Sequence, residues 1–154
     1  MVNRGMSKRT HNILFPNCYL CMSANNRRLR RLVVDILFDK GALTRTQIAE
    51  ELARVRSLRE VPSDNSLSSV LAKNVQLESV GFAKVEKLNG NKTKHMIFDI
   101  KRELITTREE IEQTRPMSCM TASERRLAIR CPQCGKHRIL PEGSDICIHC
   151  IKGL

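Results

Sequence analysis

Phe82-Ala83-Lys84-Val85-Glu86-Lys87-Leu88, then Asn89-Gly90, then Asn91-Lys92-Thr93-Lys94-His95-Met96-Ile97-Phe98-Asp99-Ile100, is the stretch on which the fold turns. Asn-Gly between two β-prone runs is the strongest short-range signal for a hairpin. The residues before it read as helices. Leu29, Leu32, Val33, Ile36 and Leu37 recur at helical spacing and mark one buried stripe on a helix from about Arg27 to Lys40, with Gly41 placed to end it. Thr44 and Gln47 form a capping-box pattern, and Leu43 and Ile48 hold the two positions of a hydrophobic staple. A second helix is expected from about Arg45 to Arg56, burying Ile48, Ala49 and Leu52. Pro62-Ser63-Asp64 offers the start of a third, from about Asn65 to Val80, with Leu67, Val70, Leu71 and Leu77 inward and Gly81 as its stop.

Composition narrows the function classes. The chain has 154 residues, of which 3% are aromatic, with no Trp and one Tyr. Small helical units packed with Leu, Ile and Val suit that better than one large core anchored by rings. Twenty-seven Lys and Arg against sixteen Asp and Glu leave a net charge of +11, and the pI is near 9.8. Such a charge favours a polyanionic partner. It is concentrated at two places: residues 1–31 hold seven Lys or Arg and no acid, and residues 81–102 hold six against two. No apolar run reaches the roughly 18 residues that span a bilayer, so no membrane is expected. The basic start and the partly apolar Ile13 to Met22 make a poor secretory signal, because Pro16 and Asn17 interrupt it. A cytoplasmic location with reduced thiols follows, nucleoid-associated if the source is prokaryotic.

Cys131-Pro132-Gln133-Cys134-Gly135 and Cys147-Ile148-His149-Cys150 form two C-x2-C pairs separated by twelve residues. Each pair can present two thiolates from one tight turn, and four thiolates complete a tetrahedral zinc site. Four protein ligands leave no position for water, so one structural zinc per chain is expected, held by Cys131, Cys134, Cys147 and Cys150. The competing reading is a disulfide or redox-active dithiol. Cys18 and Cys21 repeat the spacing, and with Cys119 and His11 or His95 they could build a second site; otherwise all three are small hydrophobes docking the arm on the core. His137 and His149, beside the ligands, read as surface residues. Arg102 to Gln113 is expected as a charged helix ended by Thr114-Arg115-Pro116. Thr121 and Glu124 then cap a short helix or turn over Arg125 to Ile129.

Three helices followed by a hairpin, with Leu77-Glu78-Ser79-Val80-Gly81-Phe82 leading from the third helix into it, resemble a winged helix-turn-helix domain over residues 27–100. The expected class is mainly α with small β (α+β), in four parts: a basic arm (1–26), the winged helix-turn-helix domain (27–100), a helical connector (101–127) and a zinc-ribbon module (128–154). That order resembles the archaeal homologue of transcription factor IIE alpha. The resemblance implies a third helix in the major groove, making Asn65, Ser66, Ser68, Ser69, Lys73 and Gln76 groove contacts. It implies Lys84, Lys87, Lys92 and Lys94 as wing contacts to phosphate; the concentration of basic charge adds Arg27, Arg28, Arg30 and Arg31, just after the arm, as nucleic-acid contacts. The lysines also fit a solvated strand edge guarded against aggregation.

The sequence carries no phosphate-binding Gly loop, metalloprotease His-Glu pair, nucleophile elbow or deaminase motif, so an enzyme is not expected and no small-molecule substrate is indicated. The leading expectation is a DNA-binding transcription regulator acting on double-stranded DNA. The alternative is a transcription or translation accessory whose winged helix and ribbon dock protein, such as RNA polymerase or the ribosome.

Overall fold

The computed structural model describes residues 24–154, so Cys18, Cys21, His11 and nearly all of the basic arm lie outside the described residues. The chain is a mixture of helices and two small antiparallel sheets. Helix α1 (Ala24–Lys40) buries Leu29, Val33, Val34 and Leu37. Val34 lies off the expected stripe and is nevertheless fully buried, because α1 is packed on by helices and hairpin on one side and by the connector on the other. Gly41, at φ +87°, ends it and donates to the Leu37 carbonyl at 2.9 Å.

Strand β1 (Leu43–Thr44) and helix α2 (Arg45–Ala53) share the same cap. Thr44 Oγ1 accepts from the Gln47 amide at 3.4 Å, and Gln47 Oε1 accepts from the Thr44 amide at 2.9 Å. Helix α3 (Asp64–Lys73) starts at Ser63, whose Oγ accepts from the Ser66 amide. Strands β2 (Leu77–Glu86) and β3 (Lys92–Ile100) follow as a long hairpin, and β1 pairs on the far side of β3 to give the order β1-β3-β2.

The third helix is shorter than its sequence suggests. It ends at Lys73 rather than Val80, and Gly81 lies inside a strand instead of closing a helix. The cause is Asn74, a buried residue whose Oδ1 accepts from the Gln76 amide at 3.0 Å. That local bond offers the backbone a turn in place of another helical one. Leu77 keeps the core position expected of it, but reaches it from β2, opposite Ile100. A bulge between Ser79 and Gly81 takes up one extra residue. At the hairpin tip Gly90 is left-handed at φ +81° and donates to Lys87 O, while Lys87 N donates to Asn91 O. Among the described residues only glycines have positive φ, so the loop is Leu88-Asn89-Gly90 with glycine last, not a two-residue Asn-Gly turn.

The connector also departs from expectation. Instead of one helix from Arg102, a turn over Lys101–Ile105 precedes helix α4 (Arg108–Thr114). Glu110 Oε2 accepts from Thr106 N (2.6 Å), Thr106 Oγ1 (2.8 Å) and Thr107 N (3.2 Å), so the helix begins where its acid can satisfy the free amides. A single 3-10 turn (Met117–Cys119) leads to α5 (Ala122–Leu127), whose Thr121–Glu124 box forms as expected. Strands β4 (Ile129–Arg130) and β5 (His137–Arg138) pair, and α6 (Ile148–Lys152) ends the chain.

One core runs through these parts. Leu37, Ile48, Leu52, Leu67 and Ile100 are fully buried together with Ile105 of the connector, and Ile148 of the last helix joins the same cluster. Lys152 Nζ donates to the Leu104 carbonyl at 2.9 Å and pairs with Glu110 at 3.0 Å.

Candidate metal centre and candidate nucleic-acid interface

The four cysteines are delivered by two different local structures. Cys131 follows β4 and opens a knuckle in which its amide donates to Lys136 O at 2.9 Å and Gly135 N donates to Cys131 O at 2.8 Å. Gly135 is left-handed at φ +76°, and a Cβ there would make only ordinary contact with Arg130 at 3.6 Å. Glycine is required there by backbone angle rather than by space. Cys147 is the residue before α6, and Cys150 lies one turn into it. The second pair therefore sits at a helix start, not on a second knuckle as a ribbon would place it. Ile151 is accommodated there because the turn is helical, its amide donating to Cys147 O at 3.0 Å.

The sulfurs converge. Separations are 3.8 Å for Cys131–Cys150, 3.6 Å for Cys134–Cys147 and 3.5 Å for Cys147–Cys150, and all four lie within 4.8 Å of one another. A tetrahedron with metal–sulfur bonds of about 2.3 Å has edges of about 3.8 Å. These four cysteines can hold one metal ion. Their ionisation is uneven: the Cys147 amide, 3.4 Å from Cys131 Sγ, pulls that thiol down to about 6. Burial, then its three sulfur neighbours, push Cys150 up to about 12. Four adjacent thiolates repel one another, and a bound cation removes that obstacle.

Among the described residues no other group of three or more His, Cys, Asp or Glu is close enough to hold an ion. Cys119 is buried beside α1, where Arg30 Nη1 donates to its sulfur at 3.7 Å. His95 is on the hairpin, bonded to Thr93 Oγ1, so these two are not brought together. His149 is partly buried rather than on the surface. Its Nε2 accepts from Arg138 at 3.1 Å, and burial, followed by Arg138, Lys136 and Lys101, lowers it to about 4.

The hairpin arranges its charge by register. Lys84 stands opposite Lys94, Phe82 opposite Met96, and Glu86 opposite Lys92, so these six share one face. Ile100 and Phe98 continue that face into the core, on the side where the helices pack. A cleft of about 280 Å³ lies between α3 and the hairpin, lined by Arg45, Ser68, Lys94, His95, Met96 and Phe98, with Leu71 at its base. Asn65, Ser66, Ser69 and Lys73 are exposed on α3, whereas Ser68 is partly covered and accepts from Arg45 Nη1 at 2.9 Å. Gln76 does not belong to this face. It is buried, and its amide donates to Ile111 O and Thr114 Oγ1, both at 2.9 Å. The expected placement failed because α3 stops before reaching it.

The arginines preceding the core are divided. Arg28 is exposed and Arg27 half-buried, but Arg30 and Arg31 turn toward the connector, Arg31 pairing with Glu124 at 3.0 Å. Lys87 is exposed at the hairpin tip. Arg45 was missed in the sequence; its position immediately after a helix cap was the available signal.

No described helix is long and apolar enough to cross a membrane. No family model, characterised protein or solved structure matches this chain.

Proposed function

We propose that residues 27–100 form a winged helix-turn-helix unit and that the protein is a DNA-binding transcription regulator carrying one structural zinc. The element order α1-β1-α2-α3-β2-β3 with sheet order β1-β3-β2 supports the fold reading. The observation that carries the function is the lysine register. Lys84 and Lys94 are paired across the hairpin on the side of the sheet that borders α3. One duplex could then meet the exposed face of α3 in a groove and the hairpin lysines along its backbone. Zinc is the metal best suited to four thiolates in a closed tetrahedron.

Duplex titrations test this. Affinity should fall with salt on a log–log slope of roughly −0.9 per phosphate neutralised. Lys94→Ala should reduce the slope by about one unit and weaken all sequences alike, while Ser69→Ala or Lys73→Ala should change sequence preference. No duplex binding at low salt would remove the reading.

A second reading has its own observation. Phe82 and Met96 are paired on the hairpin face with 63% and 42% of their surface exposed, and Leu88 is fully exposed at the tip. Apolar groups so displayed favour docking on a protein of the transcription or translation machinery. Under that reading Phe82→Ser abolishes partner capture, and Lys94→Ala does not alter any sequence-dependent binding.

A further inference from the structure

A second cleft, of about 580 Å³, opens where the base of the hairpin, the connector and the cysteine module meet. Val75, Pro116 and Met117 contribute its apolar surface, and Lys101, Lys136 and Arg138 its positive charge. Among the described residues no acidic one lines it. The backbones of both lysines are fixed. The Lys101 amide donates to Gln76 O at 3.0 Å, and Gln76 is itself tied to α4. Lys136 is held by its carbonyl, which closes the Cys131 knuckle.

Arg138 is the unusual member. It is nine-tenths buried, its Nη1 donates to His149, and its Nε has no partner among the described residues. Among the described residues no carboxylate pairs with Arg138, Lys101 or Lys136, although eight other ion pairs form. A covered guanidinium beside two ammonium groups without a carboxylate partner suits an anion. A lone phosphate would leave most of the space empty and the apolar surface uncovered; ligand clefts of this size take larger groups.

We propose that this cleft binds a nucleotide unit, its phosphate on Lys101, Lys136 and Arg138 and its base and sugar against Val75, Pro116 and Met117. The unit could be a free mononucleotide or one residue of a nucleic-acid strand, and the chemistry of recognition is the same. The site is separate from the α3–hairpin face and does not depend on the duplex reading.

The test uses the full, metal-loaded chain, with inorganic phosphate, nucleosides, nucleoside 5′-monophosphates and a short single-stranded oligonucleotide as probes, followed by calorimetry. The monophosphate should bind saturably and more tightly than inorganic phosphate, and nucleosides lacking phosphate should not bind. The Lys101→Ala/Lys136→Ala double variant should lose roughly tenfold or more in affinity while keeping its metal. Met117→Ala should narrow the margin of the monophosphate over inorganic phosphate. If the oligonucleotide binds more tightly than the monophosphate and with the same lysine dependence, the unit belongs to a strand; if not, it is a free nucleotide. Lys92→Ala/Lys94→Ala, which tests duplex contact, should leave monophosphate binding unchanged, so the two readings fail separately. Absence of saturable binding by both monophosphate and oligonucleotide overturns the proposal, as does unchanged binding in the double variant. If the double variant instead sheds its metal and the wild type binds no nucleotide, the cations only balance the thiolates and the site falls.

Discussion

Gln76 shows how a single residue changes meaning with its surroundings. As an outward helix position it would touch a base; in the fold it holds two acceptors of α4. Gln76→Leu removes the donor to the Ile111 carbonyl and the Thr114 hydroxyl, which keep only their bonds within α4, and each lost hydrogen bond costs about 0.5–1.5 kcal/mol. Urea unfolding should register that loss, while duplex affinity measured on the folded variant stays within twofold. A reversal of those two results would return Gln76 to the groove. Glu110 provides a pH test. Burial raises its carboxyl, but the Thr106 amide, Lys152, the Thr106 hydroxyl and the Thr107 amide outweigh that and hold it at about 2. Its folded value lies below the ordinary 4.5, so its stabilisation is complete above about pH 4.5 and is lost as pH falls toward 2. Acid titration of the wild type against Glu110→Gln should show the difference between the two vanish across that window.

At the scale of elements, caps decided where α2, α4 and α5 begin, and a local side-chain bond decided where α3 ends. Thr44–Gln47 and Thr121–Glu124 were legible because a capping box is a four-residue pattern. The end of α3 was not, because Asn74 is equally compatible with a helix surface until its side chain bonds to Gln76. Strand β1 was invisible for a related reason: two residues carry no period, and its partner on β3 is Phe98, far along the chain. Glu124 joins three elements, accepting from Arg115 at 2.8 Å and from Arg31 at 3.0 Å. Arg115 is almost wholly buried, so Glu124→Ala strands a covered guanidinium. Breaking such a pair costs about 3–5 kcal/mol, and the melting temperature should fall accordingly; a variant as stable as wild type would mean the pair is relaxed in solution.

Over the whole molecule, the cysteine module is not a separate bead. From the C-x2-C spacing alone, chelation should unfold the C-terminal module and spare the helices. Ile148, however, lies in the common core, and Lys152 grips Leu104 and Glu110 from the same short helix. Metal removal should therefore loosen α4 and the Lys101–Ile105 turn as well as the knuckle. Hydrogen exchange with and without chelator measures this. Amides of α4 should lose protection together with those near Cys131 and Cys147, whereas α2 and α3 should change little. Protection unchanged throughout α4 would mean that the module folds independently.

The amino-acid order by itself determined what depends on neighbours a few residues apart: the capped starts of α2, α3 and α5, the hairpin around Asn89-Gly90 and the two C-x2-C pairs whose four cysteines can hold a metal ion. Capping, turn geometry and ligand spacing act over a single turn of chain, so no distant partner is needed to recognise them. Tertiary structure alone decided which basic residues stand free. Arg31 is held by Glu124 and Arg45 by Ser68, while Lys101 from the hairpin base meets Lys136 and Arg138 of the cysteine module in one cleft. It also decided that Gln76 turns inward to α4, and that the C-terminal helix closes the core. Those outcomes depend on burial and on hydrogen-bond partners contributed by remote segments. Local pattern carries no record of either.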